Sequence, residues 1–238
     1  MGRSTGDLRL AGYHRCPSLD RARPRTRPRT RTFDRAATEG ASRAASRRGR
    51  PRPLTGEPLA LDLLNTRWID AEGPRDLLES PDGLAIWLGS PPVREQTGPL
   101  APAADRATLD RLLETRTALE ALASAAAPDE PGAAGATAAL NAVLAHGRIR
   151  RALGADGLPE SVVEVDDPAW GPAWYAADNW LKLVADRPDR IRPCANDACV
   201  LHFYDVSKNG TRRWCSMAGC GNRAKAQRHY ARRTHAGG

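Results

Sequence analysis

Four cysteines, Cys194, Cys199, Cys215 and Cys220, stand at the spacing C-x4-C-x15-C-x4-C. Two close pairs of thiolates joined by a connector of hairpin length can fold onto the corners of a tetrahedron, and zinc is the usual occupant of such a site. A shell of four sulfurs has no open position for water. The spacing therefore predicts one zinc ion that holds structure and does no chemistry. After the last cysteine, residues 222–233 read as a helix carrying Arg223, Lys225, Arg228, His229, Arg232 and Arg233. A zinc-stapled module that presents a cationic helix predicts a nucleic-acid reader.

The ligands need elements to hold them. Cys194 to Cys199 would form a knuckle around one side of the ion, followed by a strand over 201–205. Asn209-Gly210 is a turn pair favoured where both residues take positive φ, and 212–215 would return as the second strand carrying the third thiolate. Ser216 is placed to cap a helix bearing Cys220 in its first turns. Knuckle, hairpin and ligand-bearing helix together describe a treble-clef-like finger. At about 100° per residue, Cys220, Ala224, Gln227 and Ala231 share the metal face, while Lys225, Arg228, His229 and Arg232 gather on the opposite one. Arg223 falls nearer the metal and is expected to donate to the thiolates or the hairpin backbone. Phe203 and Trp214 are expected to form a miniature core, and Lys208, Arg212 and Arg213 would add phosphate contacts from the hairpin.

Charge divides the chain into three parts. Residues 1–53 carry 15 Lys/Arg against 4 Asp/Glu, a surplus of +11; residues 54–186 carry 10 against 21, giving −11; residues 187–238 carry 11 against 3, giving +8. The first part is Arg- and Pro-rich with few large apolar residues, so it is expected to be a disordered tail. A nucleic-acid arm and a simple upstream extension are both compatible with that composition. The N-terminus lacks the apolar stretch of a secretory signal, and no apolar run is long enough to span a membrane. Cysteines at metal spacing point to a reducing cytoplasm. An acidic body beside a basic finger also predicts that one folds over the other and damps its attraction for polyanions.

The body, 54–186, reads as mainly helical. A short helix is expected within 59–68. Ser80 and Pro81 supply an N-cap and first helical residue. The clearest helix is 105–127, with Leu109, Leu112, Leu113 and Leu119 on one stripe, and a second runs over 136–145. Residues 148–153 and 161–165 flank a turn and predict a hairpin. A last helix, ending before Pro188, would bury Trp170, Trp174, Leu181 and Val184. Arg116 sits in the middle of the leucine stripe, where a charge needs a partner. It marks either a pocket for a small anionic ligand, with Asn65 as a further polar group, or a pairing with a structural carboxylate.

Arg213-Trp214-Cys215-Ser216-Met217, followed by Cys220-Gly221-Asn222-Arg223-Ala224-Lys225, resembles the CGNR zinc finger, named for the tetrapeptide at 220–223. Phe203, Asp205 and Ser207 match the hairpin of that family, whereas Val200 stands where a glycine often follows the second cysteine. The resemblance covers about 190–233. Members commonly carry an N-terminal ABATE domain, a stress-induced transcription-regulator module, and Leu59–Thr66 looks like its opening segment. What the resemblance implies is a bacterial DNA-binding transcription regulator.

The expectation is thus a mainly α protein with small β-hairpins: a helical domain over 54–186 and a treble-clef-like finger over 187–238. DNA is the expected partner, and the body is expected to sense a ligand or mediate assembly. A protein-, ligand- or RNA-binding module with a purely structural zinc is the alternative. No Ser/His/Asp constellation, phosphate-cradling loop or dinucleotide fingerprint is present, so no enzymatic activity is expected.

Overall fold

Burial of a short, almost wholly apolar segment organises the helical body. In the computed structural model, which describes residues 52–98, 102–125 and 132–227, Leu59–Leu64 forms helix α1, and all six of its residues are buried. Only a helix enclosed on every side can afford such a sequence. The chain then turns at Asn65 into a small antiparallel hairpin, β1 (Arg67–Asp70) and β2 (Gly73–Asp76). A 3-10 turn, Leu77–Glu79, leads to α2 (Pro81–Gly89) and α3 (Pro91–Thr97). Ser80 caps α2 as expected, its Oγ accepting from the Gly83 N–H at 3.3 Å.

Helix α4 (Arg106–Ser124) is capped by Asp105, which accepts from the Thr108 N–H at 2.8 Å. It stops at Ser124, short of the expected 127, where Ala125 turns extended. Helix α5 (Ala133–Leu144) packs on it, and β3 (Gly147–Leu153) and β4 (Pro159–Val165) form the expected hairpin, with Ile149 opposite Val163. Helix α6 (Gly171–Asp186) lies against α1, α4 and α5.

The face α6 buries is only partly the expected one: Trp170 and Trp174 are buried, Leu181 and Val184 are not. Ala173, Trp174, Ala176, Ala177, Trp180 and Leu183 point inward, while Leu181 and Val184 remain 46% and 42% exposed. Alanines let α1 approach closely, so side-chain size along the stripe is a poor guide to which side is covered. A side-chain link fixes the approach: the Ala60 N–H donates to Asn179 Oδ1 at 3.0 Å.

Two buried ion pairs anchor the body. Arg116 donates both terminal nitrogens to the Asp76 carboxylate, at 2.7 and 2.6 Å, and one of them also reaches Thr66 Oγ1 at 2.7 Å. Burial pushes the Asp76 carboxyl up, but the Arg116 guanidinium outweighs it and holds the group below the usual carboxylate range. The second pair is at the start of the folded region. Arg52 Nη1 donates to Asp62 Oδ1 at 2.8 Å, and the same carboxylate accepts from Trp87 Nε1 and the Gly56 N–H, both at 2.9 Å. Arg52 therefore belongs to the folded part, although the expected tail extended to residue 53. The rest of that tail, 1–51, lies outside the described residues. By their contacts, the described residues form one compact unit.

No described helix is long and apolar enough to cross a membrane. Asp62 is fully buried, so removing its cation leaves an enclosed negative charge. Arg52→Ala, or a chain started at Leu54, is expected to lose about 3 kcal/mol. A chain started at residue 50 is expected to keep it. Urea unfolding midpoints of the three compare these directly, and equal midpoints would show that the pair contributes nothing.

Candidate metal centre and the basic surface beside it

Hairpin β5 (Ile191–Pro193) and β6 (His202–Tyr204) brings the first two ligands together, because the knuckle forms its connecting loop. The Cys194 N–H donates to the Leu201 carbonyl at 2.9 Å and the Cys199 N–H to the Asn196 carbonyl at 2.8 Å. This differs from the expected pairing of 201–205 with 212–215. Asp205 is the reason: its carboxylate accepts the N–H groups of Ser207 at 2.9 Å and Arg212 at 3.0 Å, so a side chain closes the 206–211 loop. Residues 211–214 then run without regular structure, and Ala195 donates to the Arg213 carbonyl at 2.8 Å. Gly210 has φ of 62°, while no described non-glycine residue has positive φ. Asn209 therefore does not adopt the mirror-image turn.

Ser216 caps the last element, its Oγ accepting from the Gly219 N–H at 3.3 Å. The first turn is a π-turn, Met217–Gly221, with the Gly221 N–H donating to the Ser216 carbonyl at 2.9 Å. The chain is helical from 222 to 227, where that stretch of described residues ends. Gly221 is buried, and a Cβ there would lie 2.7 Å from Met217 Sδ and 3.3 Å from the Trp214 ring. A larger residue would force the exposed end of Met217 aside and press on the Trp214 ring.

The four sulfurs lie within 4.8 Å of one another, and Cys199 and Cys215 are 3.9 Å apart. A tetrahedron of roughly 2.3 Å Zn–S bonds has edges of about 3.8 Å. The separation is far beyond a disulfide bond of about 2.05 Å. Sulfur is also the donor type that zinc prefers among the side chains present. Asn196 Nδ2 donates to Cys220 Sγ at 3.3 Å and the Cys215 N–H to Cys194 Sγ at 3.4 Å, contacts that stabilise thiolates. Shared protons split the metal-free thiols: the hydrogen bond with Cys215 brings Cys199 down to about 5, and the same contact pushes Cys215 up. The donor set fits a four-coordinate ion with no position left for a reactant.

The finger's core is partly borrowed. Trp68 of β1 is buried with Cys194, Leu201, Phe203, Cys215 and Cys220, and Leu54 and Leu77 pack against them. Phe203 is fully buried, whereas Trp214 is half-buried at the edge. Side chains of the body also occupy the outer edge of β6. Asn65 donates through Nδ2 to the His202 carbonyl and accepts the His202 N–H through Oδ1, both at 2.9 Å. Glu57 accepts the Tyr204 N–H at 2.9 Å. Tyr204 in turn donates its hydroxyl to Asp186 at 2.6 Å.

These contacts reassign several residues. Asn65 clamps the finger strand, and the Arg116 fork is filled by Asp76 and Thr66, so neither offers a free group to an anion. Arg212 turns inward, donating to the carbonyls of Trp214 at 3.1 Å and Cys215 at 2.7 Å and to Glu57 Oε1 at 3.0 Å. Its guanidinium stacks over Phe203 at 4.2 Å and is not available to phosphates. Arg190 and Arg192 are likewise tied to the carbonyls of Ser207 and Gly210, at 2.6 and 2.8 Å. Arg223 is exposed and, among the described residues, donates to neither thiolate nor hairpin.

Lys208, Arg213, Arg223 and Lys225 face solvent and form no ion pair among the described residues. No described body carboxylate covers them; Glu57 and Asp186 reach Arg212 and Tyr204 instead. Arg228, His229 and Arg232 lie outside the described residues. Sequence reasoning missed Glu57, Trp68 and the closing role of Asp205, although the Phe203/Asp205/Ser207 pattern flagged the last.

Family comparisons agree with this geometry. Residues 190–233 match the CGNR zinc finger. Residues 57–198 match ABATE, whose description reads "Putative stress-induced transcription regulator". The chain belongs to the ABATE family. It carries the CGNR zinc finger at its C-terminal side, and the two matches overlap where β5 and the knuckle join the body. A search of curated proteins found no match.

Two predictions follow from the shared core. Structural zinc contributes roughly 10–16 kcal/mol in isolated fingers; here its removal by a chelator is expected to loosen the body as well, because Trp68 packs on the ligands. Tryptophan emission should shift to the red on chelation in the parent and much less in Trp68→Phe; an identical shift in both would place the change elsewhere. Arg212→Ala strips Glu57 and three carbonyls of a donor, and is expected to cost about 2–3 kcal/mol. Arg213→Ala should cost under about 0.5 kcal/mol. Thermal unfolding of both variants tests that ordering.

Proposed function

We propose that this ABATE-family chain is a transcription regulator of the bacterial cytoplasm. In this reading one structural zinc ion holds the finger, the finger binds DNA, and the helical body senses a ligand or mediates assembly. It is not an enzyme. One observation supports the reading: finger cations divide into an inward set that builds the module and an outward set that forms no ion pair among the described residues. Lys208, Arg213, Arg223 and Lys225 make up the outward set. Exposed cations on a rigid frame neutralise phosphates and orient a protein on a duplex, but give little sequence choice. Arg228 and His229 follow on the same sequence and are the proposed base-contacting residues, with Arg232 at the backbone.

Four phosphate contacts correspond to a log–log salt slope of about −3.6. Fluorescence anisotropy with a labelled duplex should give at least that slope for the zinc-loaded protein. Replacing Lys208, Arg213, Arg223 and Lys225 by serine should flatten it by about 3 units, with zinc content unchanged. A slope that persists in the quadruple variant would move the interface elsewhere. An RNA- or single-strand reading draws support from an open groove of about 550 Å³ lined by Val206, Arg213, Trp214 and Met217, where a base could stack. Competition between duplex and single strands separates the two.

A further inference from the structure

A second cleft, of about 520 Å³, lies along the seam between finger and body. Trp68, Ile69 and Pro74 reach it from the β1–β2 hairpin, Glu120 and Ser124 from α4, and Val200 and His202 from the finger. Its size falls within the range of small-molecule sites. Apolar surface stands in water there: Ile69 is 45% exposed and Val200 47%. Val200 occupies the position after the second metal ligand, so this wall is built by the knuckle itself.

Charge on the lining selects the ligand. Arg67 is held by Asp76 at 3.1 Å and by Glu120 at 3.0 Å. Arg75 is held by Asp70 at 3.0 Å and by Glu72. Both arginines are half-exposed but already paired, Arg67 through Nε and Nη1 and Arg75 through Nε and Nη2. Three carboxylates, Asp76, Glu79 and Glu120, face the two arginines around the cleft. Glu79 has no ion pair or hydrogen bond among the described residues. His202 lines the cleft as well, but its Nδ1 is shielded from water and is not presented to a ligand. Three carboxylates against two paired arginines, with Glu79 unpaired, favour a cation with an apolar body over an anion.

We propose that the cleft is an effector site for a small arylalkylamine, its ring against Trp68, Ile69 and Val200 and its ammonium at Glu79. Because both finger and body contribute walls, occupancy ties the sensing role proposed above to the seam that positions the finger. It rests on that reading only for the consequence at DNA. A ligand shifts such a seam only by its difference in affinity between two arrangements.

Titration of the zinc-loaded full chain with phenethylamine and with 3-phenylpropionate, which share a ring and differ in charge, tests the proposal by ¹H–¹⁵N correlation spectra. Ligands of this size bind such clefts with Kd values of order 1 mM. Phenethylamine should move the Trp68 indole and the Val200 and His202 amides, and bind at least about tenfold tighter than the acid. Glu79→Gln should reduce that preference below about twofold, and Val200→Arg should abolish binding of the amine. Circular dichroism and zinc content show whether each variant is folded, and Ile69→Arg offers a second block from the body side. Absent saturable shifts, equal affinity for the acid, or binding unaffected by Glu79→Gln or by both arginine variants would overturn the site. Loss of DNA binding alone would leave the titration intact, so the two readings fail separately.

Discussion

A module of some fifty residues cannot bury enough apolar surface to hold four thiols at one point, and the rest of the structure answers that constraint. Metal coordination answers it in part. The body supplies the remainder: Trp68 and Leu77 complete the apolar layer under the sulfurs, and Asn65 and Glu57 take the place of a third strand along β6. Asn65 does this with one amide that both gives and receives, as a peptide group would. The strand edge is thus closed by side chains instead of by pairing that could extend to another chain.

Burying Glu57 has a price that its partners explain. A carboxylate 8% exposed needs donors, and it has the Tyr204 N–H on one oxygen and Arg212 on the other. Arg212 in turn needs acceptors, and finds two carbonyls on the segment that carries Cys215. Body, strand and third ligand are linked through one ionic contact. Such networks stabilise little when measured against an apolar replacement, yet removing one member leaves the others uncompensated. The finger therefore keeps its inward arginines for geometry, and among the described residues the outward cations are the ones left without a carboxylate.

Much of this was legible in the residues. Cysteine spacing located the ligands because metal geometry tolerates few alternatives, and the helices of the body followed from apolar periodicity, with Ser80 as a cap. Other features were hidden for a physical reason. Which arginines turn inward depends on carbonyls and carboxylates distant in sequence: Arg212 meets Glu57 across 155 positions and Arg116 meets Asp76 across 40. Local charge pattern treats Arg212 and Arg213 alike, although one is enclosed and the other exposed. Small residues misled in a similar way, since Ala173, Ala176 and Ala177 mark the buried side of α6 by permitting close approach and not by their own apolar area.

The position after Cys199 joins these themes. Glycine there would leave the knuckle's outer side without a side chain. Valine instead projects an apolar group that stays half in water at the seam, beside Ile69 and below the Arg67–Asp76–Glu120 network. Exposed aliphatic surface beside committed charges has no evident role in holding the fold, because neither Ile69 nor Val200 is buried by it. A residue that adds nothing to the core but shapes a cleft made from both halves of the unit is better explained by what enters that cleft than by the stability of the knuckle.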